Sequence, residues 1–272
     1  MSRITKILNL NQILKLMNTF LAIILIVIVI VILTGIIAKF AYKKYSKLHS
    51  KLEAIEKNII EKSDRDYNQV EALTSLYHFI KPLYPLPRSR GWAASPDFLE
   101  LIFQTIINEK PKTIVEAGSG LSSLIVGYTL KQYEINGKLI TFDDKFQYAE
   151  KTKQLVEKHN LSKFVNIINT EIQDYNHDNI SFKWYDSQSF ESVKKIDLLI
   201  IDGPGSDVSD NPRYGALPLL YSKLSLNATI ILDDGNRKTE GKIVEAWLDN
   251  FDDLKAEYID LEKGAYILRR IN

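Results

Sequence analysis

From Phe20 to Ala38 the chain reads FLAIILIVIVIVILTGIIA, a run with no charged residue and with Thr34 as its polar interruption. As a helix rising 1.5 Å per residue, the run would be about 28 Å long, close to the ~30 Å hydrocarbon core of a bilayer. A cleavable leader carries a shorter apolar stretch, roughly 7 to 15 residues, that ends at small residues. Here the run is longer and continues directly into Lys39, Phe40, Tyr42, Lys43 and Lys44. The expectation is a short basic N-terminal segment, residues 1–19, followed by a single transmembrane helix over residues 20–38 that enters the lipid bilayer. Lys39, Lys43, Lys44, Lys47 and Lys51 follow the run, whereas Arg3, Lys6 and Lys15 precede it. The bias of cationic residues toward the inner side therefore places the C-terminal part in the cytoplasm.

Beyond the run, Tyr45, Leu48, Leu52, Ile55 and Ile59 recur by threes and fours, the spacing of an apolar stripe on a helix. The stripe suits either a homodimer seam or a single stalk resting on its own domain. Val70, Leu73, Tyr77 and Ile80 carry a second stripe. Pro82, Pro85 and Pro87 then end the helix, because each removes a backbone donor and biases its predecessor toward extended conformation. The spacing predicts a helical stalk over residues 39–81 and a globular domain over residues 82–272. Ser95 ahead of Pro96 reads as the start of a further helix that Pro111 stops.

From Thr113 onward short apolar runs alternate with helical segments. The runs Thr113–Ala117, Leu139–Phe142, Val165–Ile168, Ile196–Ile201 and Ala228–Leu232 read as strands. Helices are expected over Ser122–Gln132, Phe146–His159 and around Leu217–Leu224, and a polar and aromatic stretch, Ile180–Glu191, precedes the run Ile196–Ile201. Continuous apolar strands between helices imply an α/β fold with a parallel sheet buried on both faces. The tail differs: Ala256–Leu261 and Ala265–Arg269 flank Glu262-Lys263-Gly264, the pattern of an antiparallel hairpin closing the sheet edge.

Composition removes several function classes. Lys and Arg number 35 against 34 Asp and Glu, so no global field attracts nucleic acid. There is no cysteine, which excludes disulfides, thiolate metal sites and a cysteine nucleophile. His49, His78, His159 and His177 are scattered without metal-ligand spacing, so any metal would be held by oxygen.

Ligands of an open parallel sheet bind beyond the carboxyl ends of its strands, so the residues there carry the chemistry. After the first strand stand Glu116, Gly118, Gly120, Ser122 and Ser123, a turn whose glycines bring backbone against a ligand, or simply a tight turn. The second strand ends in Asp143-Asp144, able to accept hydrogen bonds from ribose hydroxyls or to cap the next helix. The fourth ends in Asp202-Gly203-Pro204-Gly205 and the fifth in Asp233-Asp234-Gly235. Carboxylates gathered at neighbouring strand ends repel unless a cation, a proton or hydrogen-bond donors lie among them.

The series IVEAGSGLSS, TFDD, DLLIIDGPG, NPRYGALPLL and ATIILDDGNRKTE resembles the class I S-adenosylmethionine-dependent methyltransferases, over roughly Trp92 to Arg270. The resemblance implies a Rossmann-like, mostly parallel sheet of seven strands with a reversed final hairpin. It implies that Glu116, Gly118, Gly120 and Ser122 face the methionine part of S-adenosylmethionine, and that Asp143, or Asp144, holds the ribose. Glu171, Ile172 and Gln173 would border the adenine, and Asp202 would sit by the methyl group. Some relatives hold a divalent cation at such acids, so Asp202, Asp233 and Asp234 are candidate ligands for Mg²⁺, although Gly203-Pro204-Gly205 departs from that pattern. Asp202 or Asp234 is expected to orient or deprotonate an acceptor hydroxyl, with Arg213, Tyr214 and Arg237 contacting the acceptor. The anchor suggests an acceptor that is itself membrane-associated, such as a lipid-linked glycan. The competing readings are a nicotinamide-dependent oxidoreductase or epimerase, disfavoured by Ser123 and the lack of a Tyr-x-x-x-Lys pair, and a catalytically silent, membrane-tethered interaction protein.

Overall fold

The computed structural model describes residues 2–89, 91, 93–177 and 180–270, so Trp92, where the family resemblance begins, lies outside the described residues. The chain divides into two compact units, Met1–Asp64 and Arg65–Asn272. One helix, α1 (Ser2–Ile80), contributes to both. In the first unit, α1 contains a window of mean hydropathy 3.5 with none of it buried, long and apolar enough to cross a membrane. Tyr45, Leu48, Leu52, Ile55 and Ile59 are all exposed.

The second unit opens inside the expected stalk. The last turns of α1 belong to it, burying Ala72, Leu76 and Ile80, four residues apart on one helical face. Of the stripe read from sequence, Ile80 is buried and Leu73 half-buried, while Val70 and Tyr77 remain exposed. Asp97 fixes this packing. Its Oδ2 accepts from Gln69 Nε2 of α1 (2.8 Å) and from the Glu262 backbone N–H (2.7 Å).

The remaining elements are α2 (Pro96–Glu109), β1 (Thr113–Ala117), α3 (Leu121–Gln132), β2 (Lys138–Asp143), α4 (Phe146–Lys158), β3 (Val165–Asn169), β4 (Ile172–His177), β5 (Ile180–Tyr185), β6 (Ile196–Ile201), α5 (Ala216–Leu220), β7 (Leu224–Asp233), α6 (Lys238–Asn250), β8 (Leu254–Ile259) and β9 (Ala265–Arg270). A seven-stranded sheet runs β3-β2-β1-β6-β7-β9-β8. β1 pairs in parallel with β2 on one side and β6 on the other, Val115 facing Ile140 and Leu199. Strand alternation sends Ile114, Leu198 and Ile200 into a core beneath α1, α2 and α3, and Val115, Leu199 and Ile201 into a second core with Leu217 and Trp247. β9 lies antiparallel to β7 and β8 antiparallel to β9, so the expected tail hairpin is present.

The polar and aromatic stretch after Ile180 carries a strand: β4 and β5 form a separate antiparallel pair, Ile172 opposite Tyr185, with Phe182 and Trp184 turned into the second core. The helix expected over Leu217–Leu224 is shorter, α5 ending at Leu220 ahead of a 3₁₀ turn at Tyr221–Lys223, because Leu224 already pairs with Ile196 as the start of β7. Since β1 leads outward to β2 and β3 and the chain then returns to β6, the topological switch point falls between β1 and β6.

The packing of α1 is testable in the full chain in detergent. Leu76→Ala should lower unfolding stability by roughly 2–5 kcal/mol, the cost of a core cavity, whereas exposed Leu48→Ala should change it by under about 0.5 kcal/mol. Equal denaturation midpoints for the two variants would refute the placement of the α1 end in the core.

Candidate active site

The site is built where β1 and β6 end side by side. Gly118 adopts φ +95°, a conformation that strains other residues, and a Cβ there would lie 3.0 Å from the Gly203 nitrogen and 3.1 Å from the Asp202 carbonyl carbon. A Cβ on Gly203 would in turn meet the Tyr185 hydroxyl at 2.6 Å and Gly118 Cα at 2.9 Å. The two loops therefore touch backbone to backbone. Gly118 N–H donates to the Phe142 carbonyl (2.8 Å) and Asp202 N–H to the Ala117 carbonyl (2.9 Å), extending the sheet pairing into the turn. The position above Gly120 is open, with no atom within 4 Å of where a Cβ would stand.

Below the turn, Glu116 is fully buried. Its Oε2 accepts from the Ser123 hydroxyl, which itself accepts from Gly120 N–H (3.1 Å), and its Oε1 has no partner. Burial pushes the Glu116 carboxyl up from 4.5 to about 7, with the neighbouring serine hydroxyls pulling it back. Ser122 is buried one residue into α3.

Asp143, at the end of β2, meets the same turn. Its Oδ2 accepts from the Ser119 backbone N–H (3.2 Å) and the Ser119 hydroxyl (2.7 Å), and its Oδ1 from Lys145 N–H (2.9 Å). Burial raises its pKa, opposed by the Ser119 contacts. Gly118 and Asp143 thus stand on one rim of the sheet. Asp144 pairs with Lys145 Nζ (3.0 Å), which also reaches Asp207 in the loop after β6 (2.8 Å). β2 and β6 flank β1, so this lysine bridges the loops on either side of the glycine turn. Ile172 opens β4 and packs against the second core.

The third group is the carboxylate cluster. One ligand atom each from Asp202, Asp233 and Asp234 lies within 4.8 Å of the others. Arg213, only 4% exposed, sits against them. Its Nη2 donates to Asp202 Oδ1 (3.0 Å) and Asp234 Oδ2 (2.6 Å), and its Nη1 donates to the Asp233 carbonyl (2.7 Å) and lies 3.6 Å from Glu240 Oε1. Arg237 adds a contact to Asp234 Oδ2 (3.0 Å). Asp233 Oδ1 accepts from Asp234 N–H (2.7 Å) while Oδ2 has no partner, and burial pushes its carboxyl well up. Burial likewise lifts Asp202 to about 6 against the pull of Arg213, yet its side chain keeps 17% of its exposure, an edge open to an incoming group. Tyr214 is buried among aromatics, its ring 5.3 Å from that of Phe182, with its carbonyl accepting from Trp247 Nε1 (2.9 Å), and so serves packing more than acceptor contact.

The hairpin at the C-terminus holds this cluster in place. Gly235 N–H donates to the Gly264 carbonyl (2.8 Å) and Asn236 N–H to the Lys263 carbonyl (2.9 Å), clamping the turn that carries Asp234. Sequence reasoning missed Tyr185, Lys145, Glu240 and Lys263. The alternation Ser181-Phe182-Lys183-Trp184 would have revealed β5 and hence Tyr185, whose hydroxyl burial and the nearby carboxylates hold well above its ordinary range.

Residues 115–235 match the family model described as a methyltransferase domain. Three solved structures share the fold. The S-adenosylhomocysteine-bound methyltransferase PaMTH1 of Podospora anserina is 15% identical, with a TM-score of 0.56 over 78% of this chain and 96% of that one. The O-methyltransferase TomG of Streptomyces achromogenes, involved in tomaymycin synthesis and solved with S-adenosylmethionine, is 14% identical, with a TM-score of 0.52 over 77% and 96%. An O-methyltransferase from Bacillus cereus, in complex with S-adenosylhomocysteine, is 13% identical, with a TM-score of 0.50 over 74% and 90%. Residues 115–235 thus carry a methyltransferase domain, on a fold shared with these solved methyltransferases. No curated protein matches the chain in sequence.

A cavity of about 50 Å³ opens beside the cluster, lined by Asp202, Pro204, Pro212, Arg213, Asp234 and Arg237. Gly91 and Lys263 are shared with a larger cavity of about 250 Å³ whose wall includes Gln69, Val70 and Leu73 of α1.

The Glu116 proton gives a pH test. The fold holds that proton to about 7 while an unfolded chain releases it near 4.5. Its contribution therefore favours the fold fully below 4.5, and about 3 kcal/mol of it is lost as pH rises through 7. Glu116→Gln should flatten that part of the stability profile, measured by denaturation midpoints across the window; an unchanged slope would show that Glu116 is ionised in the fold.

Proposed function

We propose that the chain is a membrane-anchored O-methyltransferase whose acceptor is membrane-associated, with its catalytic unit on the cytoplasmic side. The observation that carries the transfer reading is the meeting of three groups at the β1/β6 switch point: the open glycine turn over Glu116, the acids closing β2, and Asp202 with one free edge. Bound S-adenosylmethionine would supply an electrophilic methyl group on sulfur. The residues suited to hold it are Glu116, Gly118, Gly120 and Ser122 on the methionine side, Asp143 and Asp144 toward the ribose, and Ile172 near the base. The unpartnered, buried Glu116 Oε1 and the open space above Gly120 fit a ligand carrying a cationic amine.

Asp202 takes the part of the acid–base residue. In-line displacement needs the acceptor oxygen aligned and its proton accepted, and a carboxyl lifted by burial to about 6 is matched to that work near neutral pH. Asp234 would assist by orientation, and Arg237, half-exposed at the small cavity, is placed to meet the acceptor. The larger neighbouring cavity gives room for the acceptor body.

The anchor reading is supported by the apolar helix and its lysine-rich flank. The exposed stripe from Tyr45 to Ile59 supports, within the same proposal, pairing of two copies. A tether holds the site near one surface, which raises the effective concentration of acceptors embedded there.

Calorimetry on the full chain in detergent should show binding of S-adenosylhomocysteine and none of NAD; the reverse result would abandon the methyltransferase reading for an oxidoreductase. Methyl transfer from labelled S-adenosylmethionine to membrane extracts should rise with pH through about 6. Asp202→Asn should reduce it by roughly 10²-fold or more while sparing cofactor binding. In right-side-out cells, a single cysteine introduced at exposed Lys255 should resist an impermeant thiol reagent. Labelling from outside would invert the topology.

A further inference from the structure

We infer that the Arg213 guanidinium takes the place of a divalent cation at the carboxyl ends of β6 and β7, so that this enzyme positions Asp202 and Asp234 with its own side chain and needs no bound metal there. The inference rests on the methyltransferase reading and deepens it. Asp202, Asp233 and Asp234 are hard oxygen donors gathered within 4.8 Å, a set that Mg²⁺ or Ca²⁺ would suit by chemistry. The set does not fit a cation as it stands. Arg213 Nη2 already bonds Asp202 Oδ1 at 3.0 Å and Asp234 Oδ2 at 2.6 Å, so a metal bridging those two oxygens would have to share their space with a like charge. A guanidinium does not deprotonate to make room.

The surroundings are built for an N–H fork. Nη2 also donates to the main-chain carbonyl of Asp202 (3.1 Å), and Nη1 to that of Asp233 (2.7 Å). One planar group thereby ties the backbone ends of both strands and two of their carboxylates. Glu240, buried on α6, stands 3.6 Å from Nη1 and balances the charge from behind. The side chain cannot swing away readily. It is 4% exposed, and the residue after it is fixed by the bond from Trp247 Nε1 to the Tyr214 carbonyl (2.9 Å). Arg213 is therefore a positioning residue: it holds Asp202 with one edge free and Asp234 facing the small cavity. The expectation that Arg213 contacts the acceptor directly is replaced by this role, since both its terminal nitrogens are engaged.

Mn²⁺ is the probe, titrated into the full chain in detergent with S-adenosylhomocysteine present and followed by calorimetry and electron paramagnetic resonance. The wild type should show no stoichiometric site at millimolar Mn²⁺. Arg213→Met should create one, at least about tenfold tighter than any wild-type binding because the competing charge is gone, and Asp202→Asn in that background should abolish it. Arg213→Gln serves if the methionine variant does not fold. One Mn²⁺ bound by the wild type and lost in Asp202→Asn would overturn the inference, as would a folded Arg213 variant that binds none. Binding of S-adenosylhomocysteine to the same wild-type sample is scored separately, so a failed methyltransferase reading is distinguishable from a failed metal-free one.

Discussion

Gly118 and Gly203 approach so closely that neither can carry a side chain, and the whole site is organised around that contact. Parallel pairing of β1 with β6 brings the two strand ends together. The absence of Cβ atoms lets the loops that follow touch along their backbones. Because β2 and β7 flank this pair, Asp143 on one side and Asp233-Asp234 on the other fall within reach of the same rim. Remove the contact and the acids would still end their strands, but without a shared opening between them.

The electrostatic arrangement follows from the same adjacency. Four carboxyl groups, those of Asp202, Asp233, Asp234 and Glu240, are drawn into a space served by Arg213 and Arg237. Buried charges are costly even when cations stand beside them. Burial accordingly raises the carboxyls of Asp202, Asp233 and Glu240, with the nearby cations pulling the other way. Asp202 stops at about 6 because Arg213 pulls against its burial, which leaves it able to exchange a proton near neutral pH. Asp202 thus combines a partly open side chain with an acidity set by burial against Arg213.

Much of this was legible from the residues. The strand ends were readable because fully buried parallel strands are unbroken runs of Ile, Leu and Val, each stopped by Gly or Asp, as in IDLLIIDG and ATIILDDG. The glycine turn and the acids were readable as types at strand ends. The partners were not. Arg213 read as a loop residue offered to substrate, and only the adjacency of β6 and β7 reveals that it spans Asp202 and Asp234. Lys145 reaching Asp207 depends likewise on β2 and β6 flanking β1. The β4–β5 pair escaped because one face of each strand is polar and exposed, leaving Phe182 and Trp184 as the buried half of a short alternation.

Where a helix joins a core is hard to read from its sequence. Helix α1 carries three patterns without a break in its backbone: an all-round apolar run at 20–38, an exposed stripe from Tyr45 to Ile59, and a buried face at Ala72, Leu76 and Ile80. Prolines mark where a helix must end, but a domain begins where side chains first join its core, and a helix can cross that point with no change in its hydrogen bonding. The transition is visible only in which residues lose water, and small Ala72 on the buried face gives a weaker apolar signal than Val70 and Tyr77 on the exposed one. The stripe of largest residues is therefore a partial guide, sharing only Ile80 with the buried face. Size reports what a position could bury, whereas the four-residue step Ala72-Leu76-Ile80 reports which face loses water.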